Sequence, residues 1–239
     1  MKKLTTVLIP GAIFVSLSMF VMGQNSRGPD DYVGNPERGA KIAAWGTSKG
    51  VASCSSCHGY DGVGNGTSLV PRLAGQSSFY LTHQLELYAN GKRHNVYMTN
   101  FAQRLSPQER ADVSAYYASL QSSFPPPAKE LTPAQFERGR QLATVGDDKL
   151  TVQSCNNCHG PRGLGEPPSI PALHGQYSNY IVYRLQQLAA AHEDDDLMSP
   201  VAAALSPEDM QAIAAYFEQL GITDAQHSGG QKVANSLPH

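Results

Sequence analysis

The chain has 239 residues, 16% charged and 41% hydrophobic, with 22 glycines and 16 prolines, which is the composition of a soluble globular protein of one or two domains and excludes several membrane spans. A formal charge of −2 and a pI near 6.4 leave no basic excess for neutralising phosphates, so no nucleic-acid partner is expected. Four cysteines are too few for a disulfide-stapled scaffold, and they fall as two C-x-x-C pairs, each followed at once by histidine.

Met1-Lys2-Lys3 precede an uncharged run from Leu4 to Met22, after which the chain turns polar at Gln24-Asn25-Ser26-Arg27. This is the pattern of a secretory signal over residues 1–23, with a cut after Gly23. The 19-residue run is also about long enough to stay as a membrane anchor, although Pro10 and Gly11 in its middle favour cleavage. Either way, the remainder is expected outside the cytoplasm.

A first unit is read over residues 24–124. Asn35-Pro36-Glu37 supplies a cap, a first-turn proline and an early acid, which is a helix start. Cys54-Ser55-Ser56-Cys57-His58-Gly59 follows, then Pro71-Arg72-Leu73-Ala74-Gly75-Gln76, and then a helix from Ser78 to Leu87. After Met98, Ser106-Pro107-Gln108-Glu109 starts a last helix whose apolar residues Val113, Tyr116, Tyr117 and Leu120 recur at helical spacing. Consecutive prolines after Phe124 make residues 125–131 a short, stiff linker.

Residues 132–221 then repeat the first unit. Thr132-Pro133 replaces Asn35-Pro36, Glu137-Arg138-Gly139 returns Glu37-Arg38-Gly39, and Cys155-Asn156-Asn157-Cys158-His159-Gly160 returns the cysteine motif at an offset of 101. Pro171-Ala172-Leu173-His174-Gly175-Gln176, the helix Ser178–Leu188, Met198, Ser206-Pro207 and Ala215-Tyr216-Phe217 all return at an offset of 100. Strand signals are weak in both copies, so the fold class is all-α, with long glycine-rich connections. Residues 222–239 are polar, lack apolar periodicity and read as a disordered tail.

Two thiols separated by two residues, with histidine adjacent, set both sulfurs against the vinyl edge of a haem and the imidazole beneath its iron. Cys54, Cys57, Cys155 and Cys158 are therefore read as attachment points for two covalently bound haem c groups, with His58 and His159 as iron ligands. Such attachment takes place outside the cytoplasm, which agrees with the signal. A thioredoxin-like pair would need a βαβ setting and a zinc site would need a different ligand set; neither context is present.

Three methionines remain beyond the signal, and Met98 and Met198 are in register past each motif histidine. Met210 corresponds to Arg110 and reads as ordinary packing. Beyond the motif residues no histidine is repeated, so Met98 and Met198 are read as the sixth ligands. A histidine–methionine pair fills both axial positions and raises the potential, which suits outer-sphere electron transfer more than substrate binding.

These residues together resemble the class I cytochromes c, and two units in tandem after a signal resemble the dihaem cytochrome c4 family. The resemblance covers about residues 35–220. It implies two haem-wrapping lobes related by a pseudo-twofold axis, with the haems near the lobe interface. It implies that the carbonyls of Pro71 and Pro171 accept a hydrogen bond from the ligating histidines, and that Gly39 and Gly139 let the first helix of each lobe cross the last, against Tyr116, Tyr117, Tyr216 and Phe217. The first copy carries Gly91-Lys92-Arg93 ahead of its methionine where the second has Ala191-His192-Glu193-Asp194-Asp195-Asp196. If Arg93 helps to neutralise a haem propionate, the second lobe lacks that help.

The expected role is that of an electron carrier, not an enzyme: a periplasmic protein, or one attached to the outer face of the inner membrane, passing single electrons between redox protein partners. By resemblance, the donor is a bc-type complex or a dehydrogenase and the acceptor a membrane-associated respiratory complex such as a terminal oxidase. The alternatives are the haem c subunit of a dehydrogenase complex and, with less support, a dihaem peroxidase or a sulfur-compound oxidoreductase. Residues 24–124 carry a net charge of +2 and residues 125–239 one of −6, so the two lobes are expected to dock different partners.

Overall fold

The computed structural model describes residues 33–121, 124, 132–191 and 197–234. The expected signal, the linker 125–131 and the acidic stretch Asp194–Asp196 lie outside them.

The first lobe consists of α1 (Pro36–Trp45), α2 (Ser55–His58), α3 (Ser78–Ala89), α4 (Val96–Arg104) and α5 (Pro107–Ser119). The second consists of α6 (Pro133–Thr144), α7 (Asn156–His159), α8 (Ser178–Ala191), α9 (Met198–Ala204) and α10 (Pro207–Ala234). The predicted helix starts are where the caps placed them. Asn35 accepts from the Arg38 N–H, while Ser106 with Glu109, and Thr132 with Gln135, form reciprocal capping boxes behind a proline.

Besides α4 and α9, which the sequence reading does not include, two further features depart from it. A two-residue hairpin, β1 (Gly146–Asp147) with β2 (Val152–Gln153), follows α6. α10 also runs on to Ala234, where residues 222–239 were read as a disordered tail. No proline interrupts the chain between Pro207 and Pro238, and extending a formed helix adds one hydrogen bond for each residue fixed.

Each lobe has its own core. Ala43, Leu81, Val113 and Tyr117 are buried together in the first. Leu142, Ile181, Leu185, Met210, Ile213, Tyr216 and Phe217 are among those buried in the second, so Met210 packs as expected. The first and last helices of each lobe cross at glycine. A Cβ placed on Gly39 would lie 2.0 Å from the Asp112 carbonyl oxygen and 2.8 Å from Tyr116 Cβ. At Gly139 the corresponding distances are 2.2 Å to the Ala212 oxygen and 2.8 Å to Tyr216 Cβ, so only glycine permits these crossings. Tyr116 and Tyr216 stand at the contact, while Tyr117 and Phe217 turn into the lobe cores.

The repeat extends to the loops. The Leu73 N–H bonds the Gly62 oxygen and the Leu173 N–H bonds that of Gly163, each at 2.8 Å; the Gly75 and Gly175 N–H groups bond the Tyr117 and Phe217 oxygens.

The lobes meet through reciprocal contacts. Gln176 accepts from the Arg72 N–H and donates to the Arg72 carbonyl, each at 3.0 Å. Gln76 accepts from the Ala172 N–H and donates to the Ala172 carbonyl, again at 3.0 Å. Because Arg72 corresponds to Ala172 and Gln76 to Gln176, this is one contact applied twice, as a pseudo-twofold axis requires. Phe124 fills the seam between the guanidinium of Arg72, 4.1 Å above its ring, and the edge of His174.

Candidate haem sites

Cys54, Cys57 and His58 occupy positions i, i+3 and i+4 of a single helical turn. The His58 N–H bonds the Cys54 carbonyl at 2.9 Å and the Cys57 N–H bonds the same oxygen at 3.2 Å. Cys155, Cys158 and His159 repeat this at 3.3 Å for Cys158 and 2.9 Å for His159. That spacing puts two sulfurs and one imidazole on one face. Gly59 and Gly160 then reverse the chain with φ of 74° and 73°, a left-handed backbone that glycine adopts at little cost.

None of the four thiols is in a disulfide. Burial pushes the Cys54 and Cys155 thiols up to about 11, while Cys57 and Cys158 are exposed. A thioredoxin-like pair needs a stabilised thiolate, and burial here does the opposite.

His58 and His159 are both buried. Their Nδ1 atoms lie 3.1 Å from the Pro71 carbonyl oxygen and 2.8 Å from that of Pro171. A carbonyl only accepts, so Nδ1 carries the proton. Burial lowers the pKa of both rings against the pull of those hydrogen bonds, which keeps them neutral. Each ring is left with an unprotonated Nε2, the atom an iron ligand must offer.

Met98 lies in α4, with its N–H on the Asn95 side chain at 3.0 Å, and Met198 is the first residue of α9, packed against the second-lobe core. Neither helix is foreseen in the sequence reading. Asn95 is a cap signal for α4, whereas Leu197 makes no side-chain cap ahead of α9. Among the other histidines, His83 and His94 are exposed, His174 points its Nδ1 at the Arg162 oxygen at 3.3 Å, and His192 lies outside the described residues.

Arg93 is buried at the lobe boundary. Its guanidinium donates to Gln84 Oε1 at 2.6 Å and to Tyr180 Oη of the other lobe at 3.0 Å, while its Nε has no partner among the described residues. A buried cation with an unmet donor fits an anionic group such as a haem propionate, and the cysteine–histidine faces fit covalent attachment. The residues present therefore suit haem c.

Comparison with known proteins agrees. The cytochrome c family model matches residues 37–121, and the model of cytochrome c oxidase, cbb3-type, subunit III matches residues 148–217. A thiosulfate dehydrogenase electron acceptor of Thiomonas intermedia is 36% identical over 70% of this chain and 77% of its own length. Cytochrome c4 of Pseudomonas aeruginosa is 33% identical over 74% of this chain and 88% of its own. Among solved structures, reduced cytochrome c4 from Pseudomonas stutzeri aligns with a TM-score of 0.66 and 30% identity, covering 79% of this chain and all of that one. A thiosulfate dehydrogenase (TsdBA) from Marichromatium purpuratum aligns with a TM-score of 0.70 and 35% identity over 76% of this chain, which spans only 39% of that protein.

Proposed function

The chain belongs to the cytochrome c4 family of electron-transfer proteins and carries two covalent haem c groups, and from that premise we propose that it is a periplasmic carrier taking single electrons from a dehydrogenase or a bc-type complex and delivering them to an acceptor such as a terminal oxidase. Haem supplies an iron that cycles between ferric and ferrous. Cys54 with Cys57, and Cys155 with Cys158, would hold the two groups; His58 and His159 would offer a fixed Nε2 to the iron, and Met98 and Met198 would offer their thioethers. Pro71 and Pro171 fix the tautomer and orientation of the histidines, as outer partners of metal ligands do. A histidine and a methionine on each iron would leave no open position for a substrate, which suits electron transfer rather than bond-making chemistry.

The observation that carries this reading is the buried, neutral histidine in each lobe, its Nδ1 tied to a proline carbonyl and its Nε2 left over, beside two cysteines on the same helical face. The test is the visible, near-infrared and EPR spectrum of the oxidised protein, repeated for Met98→Ala and Met198→Ala. Two low-spin methionine-ligated haems, one lost in each variant, are expected. A high-spin iron in the unaltered protein overturns the carrier reading, and a bis-histidine iron overturns the assignment of the methionines.

Relatives named as electron acceptors of thiosulfate dehydrogenase favour a dehydrogenase as the donor and support a second reading, a haem c subunit held permanently in such a complex. Reduction of the isolated chain by a thiosulfate-oxidising dehydrogenase, with and without stable co-elution of the two, separates a mobile carrier from a subunit.

A further inference from the structure

The lobe boundary holds a second arginine that the repeat does not explain. Arg93 of the first lobe corresponds to Glu193, and Gln84 of α3 corresponds to Arg184 of α8. The first lobe thus carries glutamine on the helix and arginine after it, while the second carries arginine on the helix and an acid after it. Both guanidinium groups are under the influence of the same tyrosines at the boundary. Arg93 donates to Tyr180 Oη, and Arg184 stands one helical turn beyond Tyr180 on the same face of α8, half-buried and donating to Gln187 Oε1 at 3.3 Å. Each arginine feels the field of Tyr80, Tyr88 and Tyr180, and desolvation together with the charge of Arg93 weakens the hold of Arg184 on its proton.

Two arginines brought together in a half-dry seam repel, and burial costs each of them hydration. Among the described residues no carboxylate pairs with either one. Arg93 is 6% exposed and its Nε has no partner among the described residues, which do not supply it with an anion. The carboxylates this chain does carry besides its own acids are the propionates of its two haems.

We propose that Arg184 takes over in the second lobe the charge that Glu193 forfeits, meeting the propionates of the second haem at the lobe boundary and raising that haem's reduction potential, with Arg93 doing the same for the first. The inference rests on the haem reading above. A cation beside the group favours the added electron, so its loss lowers the potential. Arg184 acts as a positioning and charge-setting residue, not as a ligand.

The test is a spectroelectrochemical titration of the purified dihaem protein against Arg184→Gln, which installs the first lobe's own residue, and against Arg184→Lys. Haem content is measured first. Fewer than two haems in the unaltered protein defeats the haem reading itself. With two haems in every protein, Arg184→Gln is expected to lower the reduction equilibrium of one haem about tenfold, or about 59 mV for one electron, and to leave the axial-ligand spectrum unchanged. Arg184→Lys is expected to recover most of that shift, which a packing role alone would not do. Unmoved potentials in Arg184→Gln, with both haems in place, overturn the inference and leave the carrier reading intact. The acidic stretch 193–196 follows α8 directly, so the titration is repeated after Glu193→Gln, Asp194→Asn, Asp195→Asn and Asp196→Asn are combined. The same fall is expected there; its disappearance would assign Arg184 to that stretch and overturn the inference.

Discussion

Gln76 and Gln176 each place a side-chain amide across the lobe boundary onto both backbone groups of a single residue, Ala172 for one and Arg72 for the other. An amide carries one acceptor and a donor pair, so it can replace a backbone strand partner without any strand being present. The two lobes, each with a separate apolar core, are joined by this polar seam and by Phe124 rather than by one shared core.

Removing either glutamine leaves a backbone N–H and C=O without partners. Gln76→Ala and Gln176→Ala are each expected to cost about 1–3 kcal/mol in urea unfolding monitored by far-UV circular dichroism. The double variant should resolve into two transitions, one for each lobe. A single unshifted transition would show that the seam contributes nothing to holding the lobes together.

The glycine crossings give a sharper expectation. In Gly39→Ala and Gly139→Ala the new methyl meets a backbone carbonyl, which cannot rotate away as a side chain can. Each variant should lose about 1–3 kcal/mol, with the helices forced apart. Thermal unfolding of the two variants checks this, and unchanged melting temperatures would refute the close approach.

Arg38 and Arg138 are equivalent in the repeat but are satisfied differently. Arg38 pairs with Asp112 at 2.7 Å, and the second lobe has Ala212 at the place of Asp112; Arg138 instead bridges Asp147 at 2.8 Å and Asp209 at 2.7 Å. Burial disfavours the Asp112 charge, but hydrogen bonds from Arg38, the Asn35 N–H and Gln108 outweigh it and hold that carboxyl below its ordinary range. A lowered folded-state value means that the stabilisation is whole above the ordinary aspartate range near about pH 4 and is lost as pH falls through the lower value. Asp112→Asn should therefore lower the melting temperature at pH 6 and flatten its decline between pH 5 and 2.5. A parallel decline in both proteins would count against Asp112 as an acid-sensitive tie.

The opposite net charges of the two halves predict partner-specific docking. Replacing Asp194, Asp195 and Asp196 with asparagine should slow electron exchange with a basic redox partner and leave exchange with an acidic one unchanged, and both rates in the unaltered protein should fall or rise with salt according to sign. Stopped-flow rates at two ionic strengths decide it; equal slowing with both partners would remove the docking role from these residues.

Much of this protein was legible in the linear chain because its chemistry is local. The C-x-x-C-H turns need only five consecutive residues, the caps at Asn35, Ser106 and Thr132 satisfy N–H groups three residues away, and the repeat itself announces two lobes. Gly39 and Gly139 were expected at the crossings from the family resemblance, and the structure supplies the reason, a backbone carbonyl about 2 Å from any added Cβ. What the chain alone did not reveal depends on residues about a hundred positions apart. The reciprocal hold of Gln76 and Gln176 and the grip of Arg93 on Tyr180 exist only once the lobes have docked, since side-chain hydrogen bonds across a seam leave no periodicity behind. Propensity and capping fixed the helices; desolvation at the boundary between them decided which charges face each other.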